Sequence, residues 1–299
     1  MPLSTASVGL KTEALTHHVD ARWTMSYAAG LGDTDPVYLD TANPGGVVAH
    51  PLFAICPEWP VALASRDLLK TQGLTAAEFR RAVHASHDSH VYRLIEAGED
   101  IVTESTVLKL EKRRPGTFVT TCFDNRTTTG ELVCRTFHGM LFRGVELEVD
   151  DDRSDLDSAP AVSVPAPPPV IGVSDIDQQF ELPVARNFAH VYTECARIFN
   201  PIHTDIAVAK SAGLPDFILH GSATLALAVS SLVNHYAGGD PACVSRITGE
   251  FRGMVLMPSV ITLRTAEPRS ADHETVIGFD VINSDGRPVI GKGAVTLRT

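Results

Sequence analysis

At 299 residues the chain is long enough for one large domain or two of ordinary size, each burying a core. A formal net charge of −11, with no local Lys/Arg cluster to reverse it, excludes nucleic acid as a main partner. The apolar share of 44% is that of a soluble globular protein, and no window approaches the roughly eighteen apolar residues of a membrane span. The five cysteines (Cys56, Cys122, Cys134, Cys195, Cys243) are scattered and form no CxxC pair. That fits a reducing compartment and disfavours both a disulfide framework and a zinc ribbon. No apolar core of signal-peptide length opens the chain and no peroxisomal signal closes it, so a cytoplasmic protein is expected.

Residues 1–20 are Ser/Thr-rich and aperiodic, and read as a loosely held lead-in. From Arg22 a short helical stretch runs to a stop at Asp35-Pro36, because the residue before a proline is pushed out of the α region. The same arrangement recurs later. Tyr27 and Tyr192, Pro36 and Pro201, and Asp40 and Asp205 are each 165 positions apart, and the residues around His50 match those around His220. The chain therefore carries an internal repeat. In each copy helical segments come first, followed by β-branched, roughly alternating stretches punctuated by turns, an α+β order.

Residues 1–147 make the first repeat and 171–299 the second. The acidic, proline-rich stretch 148–170 reads as an exposed linker between them. The copies differ after their central histidines. The first has Pro51, Pro57 and Pro60, which break or kink a helix, whereas the second has no proline between Pro215 and Pro241. A long central helix is expected in the second half, and the first half is expected to have given its helix up.

The chemistry concentrates between Tyr192 and Leu227. Asn200-Pro201-Ile202-His203 forms a turn that leaves His203 free to face a cavity. Leu219-His220-Gly221 then opens a long apolar run suited to a helix buried all round. Such a helix presents unpaired N–H groups and its positive dipole end near Gly221. A histidine beside that terminus can work on a polarised carbonyl.

The His84–His90 stretch, HASHDSH, places His84, Ser86, Asp88 and His90 on one face of a strand. A metal there is weakly supported, because neither HExxH nor a cysteine pair accompanies it. Asp33 and Asp35 read as caps of the Pro36 turn. No GxGxxG or GxxxxGK[ST] stretch supports a nucleotide cofactor.

Two copies of a helix wrapped by a curled antiparallel sheet resemble a double hotdog. The Asn-Pro-Ile-His and Leu-His-Gly motifs resemble those of the MaoC-like, or hydratase-2, family of (R)-specific enoyl-CoA hydratases and dehydratases. The resemblance spans nearly the whole chain from Arg22 onward. It implies that His203 holds and activates water, that Asn200 orders the site, and that the Gly221 N–H binds the thioester oxygen. It implies an acyl thioester of coenzyme A or acyl carrier protein as substrate, with no separate cofactor and no metal, and a place in fatty acid metabolism. The sequence leaves a homodimer open.

One position departs from the family pattern: Ile198 stands where the catalytic aspartate is usual, and it carries no proton. In the first half Asp33 keeps that place, but Tyr38 stands where the histidine would be. Glu194, four residues before Ile198, is a candidate substitute base. Arg197, in place of the family's glycine, is a candidate contact for an anionic substrate group. The expected function is reversible addition of water to a 2-enoyl thioester, giving a 3-hydroxyacyl thioester. The alternatives are an acyl-CoA-binding or partner-stabilising double hotdog without efficient catalysis, and a dehydratase for an unusual dicarboxylic or polyketide-derived acid.

Overall fold

A computed structural model describes residues 2–71, 74–79, 81–149, 162–167 and 176–299. In the first half come β1 (Leu3–Ser4), β2 (Leu15–Val19), α1 (Ala21–Leu31), α2 (Pro36–Leu39), α3 (Ile55–Thr71) and α4 (Ala76–Phe79). They lead into β3 (Ala82–Val91), β4 (Glu99–Arg113), β5 (Gly116–Thr127), β6 (Leu132–Arg143) and β7 (Leu147–Glu148). The second half runs through β8 (Ile176–Val184), α5 (Phe188–Ala196), α6 (Ile206–Ser211) and α7 (Gly221–Tyr236). It closes with β9 (Val244–Phe251), β10 (Ser259–Ala266), β11 (Arg269–Ala271), β12 (Glu274–Ile282) and β13 (Pro288–Arg298).

Eleven of these strands form one sheet, with the path β2-β4-β5-β6-β3-β9-β13-β12-β10-β8 and β11 paired to β12. The halves join edge to edge through β3 and β9, which run antiparallel from Ser86 opposite Glu250 to His90 opposite Arg246. The half-buried Arg246 guanidinium grips Asp88 across this seam with bonds of 2.8 and 2.7 Å. Joining the two edges also protects them from pairing with another chain. No helix among the described residues is long and apolar enough to cross a membrane.

The repeat is visible as contact. Tyr27 and Tyr192, both fully buried, meet hydroxyl to hydroxyl at 3.5 Å. Their helices, α1 and α5, pack together where Gly30 lies against Cys195, so close that a Cβ there would stand 2.8 Å from the Cys195 Cβ. One continuous core holds Trp23 and Phe53 from the first half with Leu225, Leu232 and Phe279 from the second. Helix α7 runs through it against β9 and β13, buried at nearly every position from Ser222 to Val233. Its all-round apolar sequence has this cause.

Several expectations need correction. The lead-in contains a strand: Leu15–Val19 pairs antiparallel with β4, and its counterpart β8 pairs with β10, so each half begins with a strand before its helices. A run of five residues was too short for its alternation to register.

The first half also keeps a helix. Helix α3 passes through both Pro57 and Pro60 for 17 residues. Pro57 lies in the first turn, where the missing N–H would have no intrahelical partner. Pro60 forfeits one bond, and burial of Cys56, Glu58, Val61, Ser65 and Leu69 against the sheet offsets that cost. Unlike α7, this helix has an outer side, with Leu63 40% exposed.

The expected linker lies largely outside the described residues. Within its described part, Val162 packs on Leu108, Cys122 and Phe137, covering a patch of sheet.

Candidate active site

The site grows from the end of α5. Tyr192, Thr193 and Ala196 are buried on its inner face. The helix closes at Arg197, whose φ of 57° is left-handed, three residues ahead of the Asn200-Pro201 pair. Asn200 then opens a single 3₁₀ turn, Pro201–His203, its side chain accepting a long bond of 3.5 Å from the Ile202 N–H. Past α6 the chain is pinned where Leu219 N–H donates to the Val255 carbonyl, and α7 begins at Gly221.

His203 is fixed by a 2.8 Å bond between its Nδ1 and the Ile218 carbonyl oxygen. A carbonyl only accepts, so Nδ1 carries the proton and Nε2 keeps its lone pair. The ring stacks on His220 with centroids 3.7 Å apart. His220 in turn meets Thr193 Oγ1 through Nε2 at 3.2 Å. Burial pushes His203 down to about 4, only partly opposed by the Ile218 carbonyl. His220 is driven well below its ordinary value by burial and then by His203. Both rings are therefore neutral at physiological pH.

His220 is the N-cap residue of α7 but makes no side-chain capping bond. The first N–H groups of the helix precede its first internal bond, Thr224 N–H to the His220 carbonyl. Gly221 is required by proximity: a Cβ there would lie 2.9 Å from Cδ1 and 3.0 Å from Cε1 of Phe251. An open helix terminus thus stands one residue from the ring stacked on His203. This pairs a neutral nitrogen base with a site able to stabilise negative charge on an oxygen.

The other two candidate residues lie elsewhere. Glu194 follows the inward-facing Thr193 by one residue, about 100° around the helix, and is exposed. It lines an open cleft with Arg22, Trp23, Ser26, Cys195 and Arg197, and His203 is not part of that lining. The Arg197 guanidinium lies 3.9 Å over the Trp23 ring in the same cleft. Ile198 is 4% exposed and belongs to the main core, where it packs as an apolar residue.

The first-half counterpart of the site is closed. Tyr38, at the place of His203, is 1% exposed, and its hydroxyl has no partner among the described residues. Pro51, at the place of Gly221, has no N–H to offer. His50 accepts from the Leu52 N–H at Nδ1 and so donates from Nε2 to Ser230 Oγ on α7 at 3.1 Å. Asp33 and Asp35 cap the turn, accepting from the N–H groups of Asp35 and Val37.

The HASHDSH face is split by a β-bulge between His84 and Ser86. His84 turns inward onto His138, centroids 3.8 Å apart, while Asp88 and His90 lie at the Arg246 seam. Among the described residues no three His, Cys, Asp or Glu side chains are placed to hold a metal.

Sequence reasoning missed Thr193 as the partner of His220 and Phe251 as the ring against Gly221. The first had a signal, a buried position in the last turn of the helix that leads into the motif. Phe251 arrives from a distant strand and had none.

Known proteins bear on this geometry. The family model "MaoC like domain" matches residues 174–284, and "FAS1-like, dehydratase domain region" matches residues 6–136. The 3-hydroxyacyl-thioester dehydratase Y of Mycobacterium tuberculosis is 25% identical over 99% of this chain and 98% of its own length. The peroxisomal enoyl-CoA hydratase 2 of Arabidopsis thaliana is 43% identical over 18% of this chain and 17% of its own. Among solved structures, a MaoC-like dehydratase from Phytophthora capsici superposes with a TM-score of 0.79 at 19% identity, covering 97% of this chain and 95% of that one. A Mycobacterium tuberculosis protein described as a double hotdog fold gives 0.62 at 14% identity over 98% and 96% of the two chains. A dehydratase model thus lies on each half, the second of them the MaoC-like domain that holds the Asn-Pro-Ile-His turn and the open helix terminus, and the whole chain has the double hotdog fold of the MaoC-like dehydratase it superposes on.

Proposed function

We propose that the protein is an acyl-thioester hydratase/dehydratase that reversibly adds water to a 2-enoyl thioester of coenzyme A or a carrier protein. The observation that carries this reading is the free Nε2 of a neutral His203 beside the open N-terminus of α7. The thioester carbonyl accepts from the Gly221 N–H, which draws electrons from the double bond and stabilises the enolate that forms. Water donates to His203 Nε2. As its O–H bond breaks, the oxygen bonds to C3 and the proton passes to the imidazole. The imidazolium, made a strong acid by burial, returns that proton to C2 as the enolate collapses. One ring thus manages both transfers, because no carboxylate stands at residue 198. Dehydration is the same path reversed.

The test is hydration of a short and a medium trans-2-enoyl-CoA, followed by loss of the enoyl-thioester absorbance, with His203→Ala alongside. Turnover should fall about 10²- to 10⁴-fold in the variant, the usual contribution of a positioned acid or base. Turnover that survives the substitution would refute the assignment.

The buried Ile198 favours a second reading, a double hotdog that binds acyl thioesters without turning them over. Tight binding of a saturated acyl-CoA with no hydration of either enoyl thioester would select it.

A further inference from the structure

The cleft where α1 meets the end of α5 has a composition the reaction above does not use. It is open, about 450 Å³ in volume, and lined by Arg22, Trp23 and Ser26 of α1 with Glu194, Cys195 and Arg197 of α5 and its cap. In a chain of net charge −11 it gathers two guanidinium groups, neither in an ion pair among the described residues, against the single carboxylate of Glu194. Trp23 is only 4% exposed, yet its Nε1–H finds no acceptor among the described residues. His17 Nε2, on the ring 6.2 Å from Trp23, is likewise buried and unmatched. Buried donors left in this state cost stability unless something meets them.

Backbone conformation adds an independent sign. Arg197 holds a left-handed φ of 57°, which a non-glycine residue adopts only at a cost. That conformation lays its guanidinium over Trp23 at the cleft.

Arginine is the side chain best matched to phosphate, which it holds with paired, charge-assisted bonds. Six residues separate Arg197 from His203, so the two lie at most about 20 Å apart even with that chain fully extended. A pantetheine arm bridges such a distance. A thioester held at Gly221 therefore brings the phosphate end of its carrier within range of this cleft.

We propose that the Arg22–Arg197 cleft binds a phosphate of the pantetheine-bearing carrier, and so anchors the substrate by the end remote from the reacting carbons. The proposal rests on the thioester reading above and extends it from the acyl group to its handle. The phosphate belongs either to coenzyme A or to the phosphopantetheine of a carrier protein.

The experiment compares three crotonyl thioesters, of coenzyme A, of 4′-phosphopantetheine and of N-acetylcysteamine, the last having no phosphate. They are assayed with wild type, Arg22→Gln, Arg197→Gly and the double variant. Arg197→Gly relieves the left-handed backbone, so it removes the charge without straining the fold. We expect KM for the coenzyme A thioester to rise about tenfold per arginine lost, as for one charge-assisted contact. The kcat, and both constants for the N-acetylcysteamine thioester, should stay unchanged. The same rise with the phosphopantetheine thioester assigns the contact to the phosphate shared with carrier proteins. A rise with coenzyme A alone assigns it to the nucleotide phosphates.

Binding of free coenzyme A is read separately from Trp23 fluorescence in a Trp59→Phe background. If no thioester turns over but coenzyme A binds in an arginine-dependent way, the reaction assignment falls and the cleft stands. Equal binding by wild type and double variant, or an equal KM rise for the phosphate-free thioester, overturns the proposal.

Discussion

Lowering the pH from 7 to 5.5 should destabilise this protein, because its buried histidines resist charging in the folded state. His50 is pushed down to about 3 and His87 and His203 to about 4 by burial. His84, His138 and His220 are driven well below their ordinary value, burial again being the largest cause. His50, His87 and His203 stay neutral in the folded state at pH 5.5, and burial disfavours charging the other three as well, whereas in the unfolded chain, with pKa near 6.5, each is about 90% protonated. The unfolded state therefore binds more protons, and stability falls as pH falls below about 6.5. Glu58 works the other way: 4% exposed, with Asn125 Nδ2 donating to it at 2.7 Å, its carboxyl is raised to about 7 by burial. It takes a proton in the folded state first, so its contribution grows as pH drops through 7, and it offsets about one histidine. The three histidines with those values, less Glu58, give a net difference of about two protons, or about 2.5 kcal/mol per pH unit near pH 5.5, and the other three histidines add to it. Domains commonly have only about 5–15 kcal/mol to lose. Urea unfolding followed by circular dichroism and tryptophan fluorescence from pH 8 to 5 measures the slope directly. A linkage of less than one proton across that range would refute the placement of these histidines as buried neutral rings.

Three further outcomes follow from the geometry. Gly221→Ala would put a methyl group 2.9 Å from the Phe251 ring, where ordinary contact is 3.4–4 Å. The displaced helix terminus should cost about 10- to 100-fold in kcat, most of it restored by adding Phe251→Leu. An unimpaired single variant would sink that account. Glu194→Gln should leave kcat within about twofold and, by removing the one carboxylate in the arginine cleft, lower KM for a coenzyme A thioester. A kcat loss of tenfold would instead make Glu194 the missing base. Leu225→Ala on the fully buried α7 should cost about 2–5 kcal/mol in unfolding free energy. Leu63→Ala, 40% exposed on α3, should cost less than about 1 kcal/mol. Similar losses at both positions would contradict the different burial of the two helices.

Much of this architecture was legible in the chain. A 165-residue offset announced the repeat, and Tyr27 and Tyr192 meet across the dyad it implies. The proline-free apolar run after Gly221 was a buried helix because nothing in it asks for water. The Asn-Pro-Ile-His turn could be located because a proline constrains its neighbours wherever the rest of the chain goes. These features are written in spacing and in backbone chemistry, which act over a few residues.

Other features were decided only by what the chain meets on folding. Pro60 reads as a helix breaker, yet α3 forms around it because the sheet supplies a face to bury. Glu194 shares a helix face with residue 198 on paper, but the packing of α5 against α1 places it at the open cleft between them. Arg197 reads as a contact for an anionic substrate group, and only folding brings it over Trp23 of the other half. One bulge between His84 and Ser86 reverses which of four aligned residues face inward. The sequence by itself determined the repeat, the turn and the open helix terminus, since each depends on local backbone rules. Tertiary structure decided which side chains share the candidate site, because that depends on contacts between residues far apart in the chain.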